Sequence, residues 1–362
     1  MIEKNHKVPS WGAITLKPFV YTTPSMHTIL ISTLVFLVPQ LVMLFLTKTY
    51  SSLLLVLFSV LGSLLAEVVY ASIRRTFAFS WMVAVIQGVL VGMLVPSTYS
   101  FAAIFFITCG CMLLVKYVFG GFSKSWINPV AVTIIVCYLV GAAFFPDFLI
   151  FRTDLETKNA VLSLLRHGAM QINPIDRSVT AFLNANLFKF VGIRIPEGYV
   201  TLFWDSGAII PAFRFNFITI VSSLFFFAFD MMDILIPAIY VLVYSLMVKF
   251  APVSLFIGSK LYGDIFLALL TSGVLFSTLY ILQWYGTVPL SFAGKIVYAV
   301  VAGVSSFLII GYGTSSIGYV FMVVCMNLVS LLIGAVEQHG VNKNYRNNLI
   351  PRIQNYREAN RI

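Results

Sequence analysis

The chain has 362 residues, of which 60% are hydrophobic and only 10% charged, with a mean hydropathy of +0.96. A soluble domain carries about 25% charged residues, and no soluble fold of this length hides so much apolar surface, so the composition excludes a soluble enzyme or binding module. The net charge of +10 does not mark a nucleic-acid partner, because the cations stand at the ends of apolar segments, where they orient a membrane chain.

In chain order, residues 1–27 are polar, carry Lys4, Lys7 and Lys17, and lead into a full-length apolar run, so they read as a flanking segment and not as a cleavable signal. Ten helices are predicted near 28–47, 51–73, 79–95, 100–119, 128–146, 215–230, 232–250, 262–283, 294–312 and 317–337. Most approach the roughly 20 residues that a ~30 Å hydrocarbon core requires. Pro96, Gly120, Gly121 and Pro146 mark joints, while Pro39 and Pro237 fall inside helices and predict kinks. The one long connection, 147–214, holds seven Lys/Arg and six Asp/Glu, with turn signals at Asn173-Pro174 and Pro196-Glu197-Gly198.

An even helix count puts both termini on one side. The basic tail, with Lys343, Arg346, Arg352, Arg357 and Arg361, assigns that side to the cytoplasm. Arg74, Arg75, Lys124 and Lys295 then also fall inside, and 147–214 faces outward, with Lys48, Lys249 and Lys260 as an outward minority. The expected architecture is an all-α polytopic membrane protein: a five-helix half (1–146), an external loop (147–214), a second five-helix half (215–337) and a basic cytoplasmic tail (338–362). The Gly-containing joint at Phe119 to Ser125 has a counterpart at Gly311 to Ser316. Five helices per half, an odd number, make such a repeat inverted, and inverted repeats place binding sites where the halves meet.

Ionisable residues inside spans are costly and are paired or functional. Glu67 is the deepest acid, and Asp264 opens the eighth helix; both are candidate ion-pathway residues, with an interhelical hydrogen bond as the structural alternative for Glu67. Asp230 and Asp233 sit at a helix joint, and Lys116 and Glu337 lie near segment ends, where snorkelling explains them. Gly120, Gly121, Asn128 and Pro129 form a polar break able to hold a phosphate or a ring edge, or simply a turn. Cys109, Cys111, Cys137 and Cys325 lie in apolar segments as small fillers, and His6, His27, His167 and His339 have no metal spacing.

The ordered set of motifs resembles the D subunit of the Rnf ion-translocating oxidoreductase and its relative, the B subunit of the sodium-pumping NADH:quinone reductase. It runs from Thr23-Pro24-Ser25-Met26-His27 through Glu67, Arg74-Arg75, Ser80, Pro96, Lys116 and Gly120-Gly121 to Asn128-Pro129. Ser272-Gly273-Val274-Leu275-Phe276, Thr287, Pro289, Gly294-Lys295, Gly311 to Gly313 and Asn327 complete the order. The resemblance implies a flavin-bearing membrane subunit that, with other subunits of an Rnf-type complex in a bacterial inner membrane, couples electron transfer to sodium or proton movement.

It also implies cofactor contacts at Ser206, Gly207 and Ala208, with Gly120, Gly121, Asn128 and Thr287 as further candidates. The family's Ser-Gly-Ala-Thr carries FMN on its threonine through a phosphoester, but this chain reads Ser206-Gly207-Ala208-Ile209. Isoleucine has no hydroxyl, so FMN or another flavin is expected to be non-covalent here, or to be missing. Phe225 to Ile239 and Gln283-Trp284-Tyr285 depart likewise from the family lettering. Two other readings are a secondary transporter or channel-like protein on the same scaffold, and a structural subunit without flavin. No residue is read as catalytic and no metal site is read.

Overall fold

The computed structural model describes residues 24–74, 81–118, 125–146, 173–190, 192, 194–250, 264–284, 286–310 and 316–349. Among them every regular element is helical. α1 (Met26–Leu46) starts where the Ser25 hydroxyl accepts the Thr28 N–H, and a short turn leads into α2 (Tyr50–Arg74). α3 (Trp81–Leu94) and α4 (Phe101–Cys111) follow, α4 being extended by a wider π turn over Met112–Tyr117. α5 (Pro129–Val140) is capped by Asn128 and has Pro129 first, where a missing N–H costs no helical bond. α6 (Asp176–Asn186) and α7 (Tyr199–Trp204) then precede α8 (Asn216–Ala228) and α9 (Leu235–Phe250). α10 (Ile265–Thr271) and α11 (Val274–Ser277), the latter continued by a π turn over Thr278–Leu282, form one bent element. α12 (Phe292–Ile310) and α13 (Gly318–Asn344) complete the order.

α1, α2, α12 and α13 are each long and apolar enough to cross a bilayer, and the bent α10–α11 pair makes a fifth candidate. The shorter apolar helices α3, α4, α5, α8 and α9 occupy the remaining positions where hydropathy predicts helices. The chain is therefore an all-α polytopic membrane protein. The shortness of α3, 14 residues and about 21 Å long, is tolerated because protein surrounds it: it is buried over nearly its whole length. α5 ends earlier than hydropathy predicts, because Gly141 leaves the helix and a 3₁₀ turn, Ala142–Phe144, takes over. Pro39 lies inside α1 as expected, but Pro237 is the third residue of α9. In a first turn its ring meets no preceding carbonyl, so the cause of the expected kink is removed.

The helix pairing repeats. α2 packs on α4 as α9 packs on α12; α4 packs on α5 as α12 packs on α13; α1 packs on α3 as α8 packs on α11. Counterparts also meet each other, α1 against α8 and α5 against α13, as elements beside a twofold axis must. The first of these contacts is fixed by a buried hydrogen bond from Gln40 Nε2 to Thr219 Oγ1, 3.0 Å. The sequence carries the same repeat: Gln87-Gly88-Val89-Leu90 in α3 matches Ser272-Gly273-Val274-Leu275 between α10 and α11.

The two glycines of that match do different work. At Gly88 a Cβ would stand 2.5 Å from the Val60 Cα of α2, so the glycine sets how closely α2 and α3 approach. At Gly273 the backbone turns left-handed, φ +69°, and the two half-helices meet at a 62° bend. A Cβ there would overlap the ring of Phe213, which comes from the segment before α8.

Candidate functional sites

The motif Ser206-Gly207-Ala208-Ile209 lies on a tight surface loop clasped at its base. Asp205 and Arg214 form a two-pronged ion pair, Nε to Oδ1 at 2.9 Å and Nη2 to Oδ2 at 2.7 Å. Ser206 closes the loop across its neck, its N–H donating to the Arg214 carbonyl and its Oγ to the Phe213 carbonyl at 2.8 Å. Gly207 adopts φ +66° and donates its N–H to Asp205 Oδ1. The Ile209 carbonyl accepts the Ser97 N–H, fastening the loop to the turn between α3 and α4, and Arg214 Nη1 reaches Thr49 Oγ1 between α1 and α2. The Ile209 side chain is 47% exposed.

Asn128 and Thr287 belong to a different place. Asn128 is fully buried; its Oδ1 accepts the N–H groups of Val130 and Ala131, and its Nδ2 donates to the Ile281 carbonyl in the π turn after α11, 3.0 Å. Thr287 Oγ1 donates to the Trp284 carbonyl at 2.8 Å. Both are thus engaged around the C-terminal end of the α11 element, whereas the residue that meets the start of that element, at Gly273, is Phe213, beyond the 206–209 turn. Gly120 and Gly121 lie outside the described residues.

Glu67 has a partner that sequence reasoning missed. Lys116 Nζ, in the π turn after α4, lies 3.1 Å from Glu67 Oε2, and the Tyr117 hydroxyl donates to the same oxygen. Lys116 is 1% exposed, so its expected snorkelling is replaced by a buried pair. The Tyr117 ring stacks on Tyr70 of α2, centroids 4.2 Å apart. The π turn widens α4 where its lysine and tyrosine reach α2. The signal lay in depth: Glu67 and Lys116 sit about equally far along helices that each end at a predicted inner joint.

Asp264 accepts the Leu267 N–H as the N-cap of α10 and also takes a hydrogen bond from the Tyr199 hydroxyl of α7. Burial and this bond push the Tyr199 hydroxyl above its ordinary value. α6 and α7 are knotted by Asp176, whose carboxylate accepts from Thr180 Oγ1 (2.9 Å), Gly198 N (3.1 Å), Thr201 N (2.7 Å) and Thr201 Oγ1 (2.5 Å). Burial raises the Asp176 carboxyl, but these four donors outweigh it and hold it below the usual carboxylate value. At the α8–α9 joint, Asp233 pairs with Lys295 at 2.5 Å and accepts the Leu235 N–H; its carboxyl is lowered as well, burial being outweighed by these partners. A mainly apolar cavity of about 880 Å³ opens between α6, α7, α8 and α10 and contains none of the predicted site residues. No group of three or more metal-ligating side chains gathers among the described residues.

A profile of the NQR2, RnfD, RnfE family matches residues 13–343. The chain belongs to this family. A comparison with curated proteins finds no match. NQR2/RnfD/RnfE membership makes the chain a membrane subunit of the kind found in ion-translocating complexes. Within that frame the clasped loop does not fit a covalently attached FMN. Where the resemblance expects a threonine acceptor Ile209 offers only a hydrocarbon, the Ser206 hydroxyl is donated to the Phe213 carbonyl, and the Gly207 N–H is donated to Asp205.

Proposed function

We propose that the chain is the membrane subunit of an Rnf-type electron-transport complex that couples redox transfer to sodium or proton translocation, with both termini cytoplasmic in a bacterial inner membrane. The observation that carries this reading is the family match over nearly the whole chain. The charged pair Glu67–Lys116 supports it: a buried, matched pair between α2 and α4 is the kind of intramembrane feature that ion-moving proteins retain. In this reading Glu67 and Asp264 belong to the ion pathway, and Ser206, Gly207 and Ala208 on the clasped loop and Asn128 and Thr287 around the C-terminal end of the α11 element border two separate cofactor positions. Gly120 and Gly121 remain cofactor candidates by the resemblance alone. FMN or another flavin bound at the outer loop is non-covalent, because a phosphoester needs an oxygen at position 209.

A second reading has its own observation. The 205–214 loop satisfies its polar groups internally, which favours a structural subunit of the same complex without flavin. Purification of the tagged chain from native membranes separates the two. Co-purifying subunits with flavin absorbance support the first reading; the same subunits without flavin support the second. A solitary protein sinks both and leaves a transporter on this scaffold. On a denaturing gel the subunit is expected to be dark, and a fluorescent flavin band mapping to 199–214 would overturn the non-covalent assignment.

A further inference from the structure

The cavity of about 880 Å³ opens where two membrane helices begin. Phe217 and Ile220 reach it from the first turns of α8, and Phe266 and Leu269 from those of α10. α7 packs on both helices and on α6, and α6 turns one face inward, with Val179 and Leu183 against the cavity. Three ring contacts join these layers: Tyr199 to Phe266 at 6.3 Å, Phe203 to Phe217 at 5.5 Å and Trp204 to Phe217 at 5.8 Å. Tryptophan and tyrosine gather where hydrocarbon gives way to headgroups. Ile175, Phe182, Leu187 and Phe190, in and around α6, are exposed in the same layer. α6 and α7 therefore lie in the membrane interface, and the cavity is open at that level.

Its interior selects an apolar occupant. The walls are almost entirely side-chain carbon, and the polar groups among them bond to one another or to their neighbours. The Asp176 carboxylate accepts four donors, one of them Thr180 Oγ1; Asn173 Oδ1 accepts the Ile175 N–H; the Tyr199 hydroxyl donates to Asp264. A sugar or a nucleotide needs several directed polar partners, and these groups are already engaged. Protein interiors keep few voids larger than a water molecule, and this volume lies in the range of ligand pockets, about 300–1,000 Å³.

One charge stands at the mouth. Arg194 lines the cavity and is also exposed. The Asn184 side chain clamps the next residue, donating from Nδ2 to the Ile195 carbonyl and accepting the Ile195 N–H at Oδ1, both at 2.9 Å. The stretch that carries the guanidinium is thus held beside α6. Glu197 is engaged with Arg177, 3.6 Å away, and among the described residues no acid pairs with Arg194. A guanidinium without a carboxylate, at the edge of an apolar slot, matches a phosphate carried on a hydrocarbon chain.

We propose that the cavity between α6, α7, α8 and α10 binds an anionic phospholipid drawn from the surrounding bilayer, with an acyl chain against Leu183, Phe203, Phe217 and Leu269 and the phosphate at Arg194. Bound there, the lipid fills the gap between the interfacial layer and the membrane helices, and so fastens α6 and α7 to α8 and α10. The inference rests on the chain being a membrane protein and not on the complex proposed above.

Trp204 lines the cavity and supplies the readout. The full-length chain is placed in phosphatidylcholine nanodiscs, and phosphatidylglycerol with brominated acyl chains, which quench tryptophan on contact, is titrated in. The Trp204 signal is the difference between the native chain and Trp204→Phe. It is expected to be quenched saturably, at a brominated mole fraction well below that needed with brominated phosphatidylcholine. Arg194→Gln should raise the half-quenching mole fraction by about fivefold, the loss of one exposed ionic contact. Lys343→Gln, which removes a cation from α13, should leave the curve in place. Quenching that merely follows the mole fraction, as contact with bulk bilayer would, overturns the site. So does equal quenching by the two brominated lipids, an Arg194→Gln curve that coincides with the native one, or the absence of quenching by either lipid, which would mean that protein fills the cavity. No other subunit and no flavin enters the measurement, so its failure leaves the proposed complex standing, and failed co-purification of subunits leaves the quenching curve.

Discussion

Lys116 and Glu67 show what a single residue costs when its partner is taken away. Removing one member of a buried ion pair leaves an uncompensated charge and costs about 3–5 kcal/mol, while replacing both by apolar groups of similar size is often neutral. Lys116→Met should therefore destabilise strongly, and Lys116→Met with Glu67→Leu should recover most of the loss; thermal unfolding in detergent measures both. A double variant as weak as the single one would mean that Tyr117 and not Lys116 holds the carboxylate. Asp176 gives a pH-dependent counterpart. Its folded value is lowered, so its contribution is complete above the unfolded value of about 3.9 and is lost as the pH falls through the folded value. Pepsin cleavage between residues 173 and 204, normalised to an unstructured substrate, should rise as the pH falls below ~4. Asp176→Asn should be cleaved faster already at pH 5, and an unaltered profile in that variant would refute the role. Of these three residues only Glu67 was legible beforehand, from its charge and depth. Lys116 stood too near a segment end for hydropathy to reveal that it points inward, and Asp176 looked like one of thirteen loop charges.

At the scale of elements, hydropathy and turn chemistry located the helices because burial in lipid is a property of composition. The turn signals held for the same local reason: Asn173 Oδ1 accepts the Ile175 N–H just ahead of α6, and Gly198 takes φ +108° just before α7. The break between α10 and α11 was hidden, since Ser272-Gly273 inside an apolar run reads as a tolerated glycine. Phe213, which fills the space over Gly273 from outside that helix, adds a clash to the left-handed backbone there. Gly273→Ala should accordingly lower the unfolding midpoint sharply, combining a clash with an unfavourable backbone, at a cost of about 2 kcal/mol or more. Adding Phe213→Ala should restore part of the loss, namely the clash and not the backbone term. No recovery in the double variant would show that the left-handed turn alone decides the position. The Asp205–Arg214 clasp was equally hidden, because nothing in the spacing of two loop charges says that they meet.

For the whole molecule, the repeated pairing of helices argues that the two halves descend from one plan while their polar interiors have diverged. One half holds a charged pair on α2 and α4; the other holds uncharged hydroxyls around α9 and α11. The predicted orientation is testable on intact cells with an impermeant thiol reagent, in variants carrying a single introduced cysteine. A cysteine at position 184, on α6, should label, and one at position 355 should not; the reverse would invert the topology. The clasped loop also has a mechanical meaning. It is pinned to Thr49 and Ser97 in the first half and, through Phe213, to the bend at Gly273 in the second. It therefore acts as a strap across the seam, and the halves cannot rock past each other without either releasing those pins or dragging the ring out of the bend. A rigid binder that grips residues 205–210 would brake such rocking from outside the membrane, without touching any residue within it.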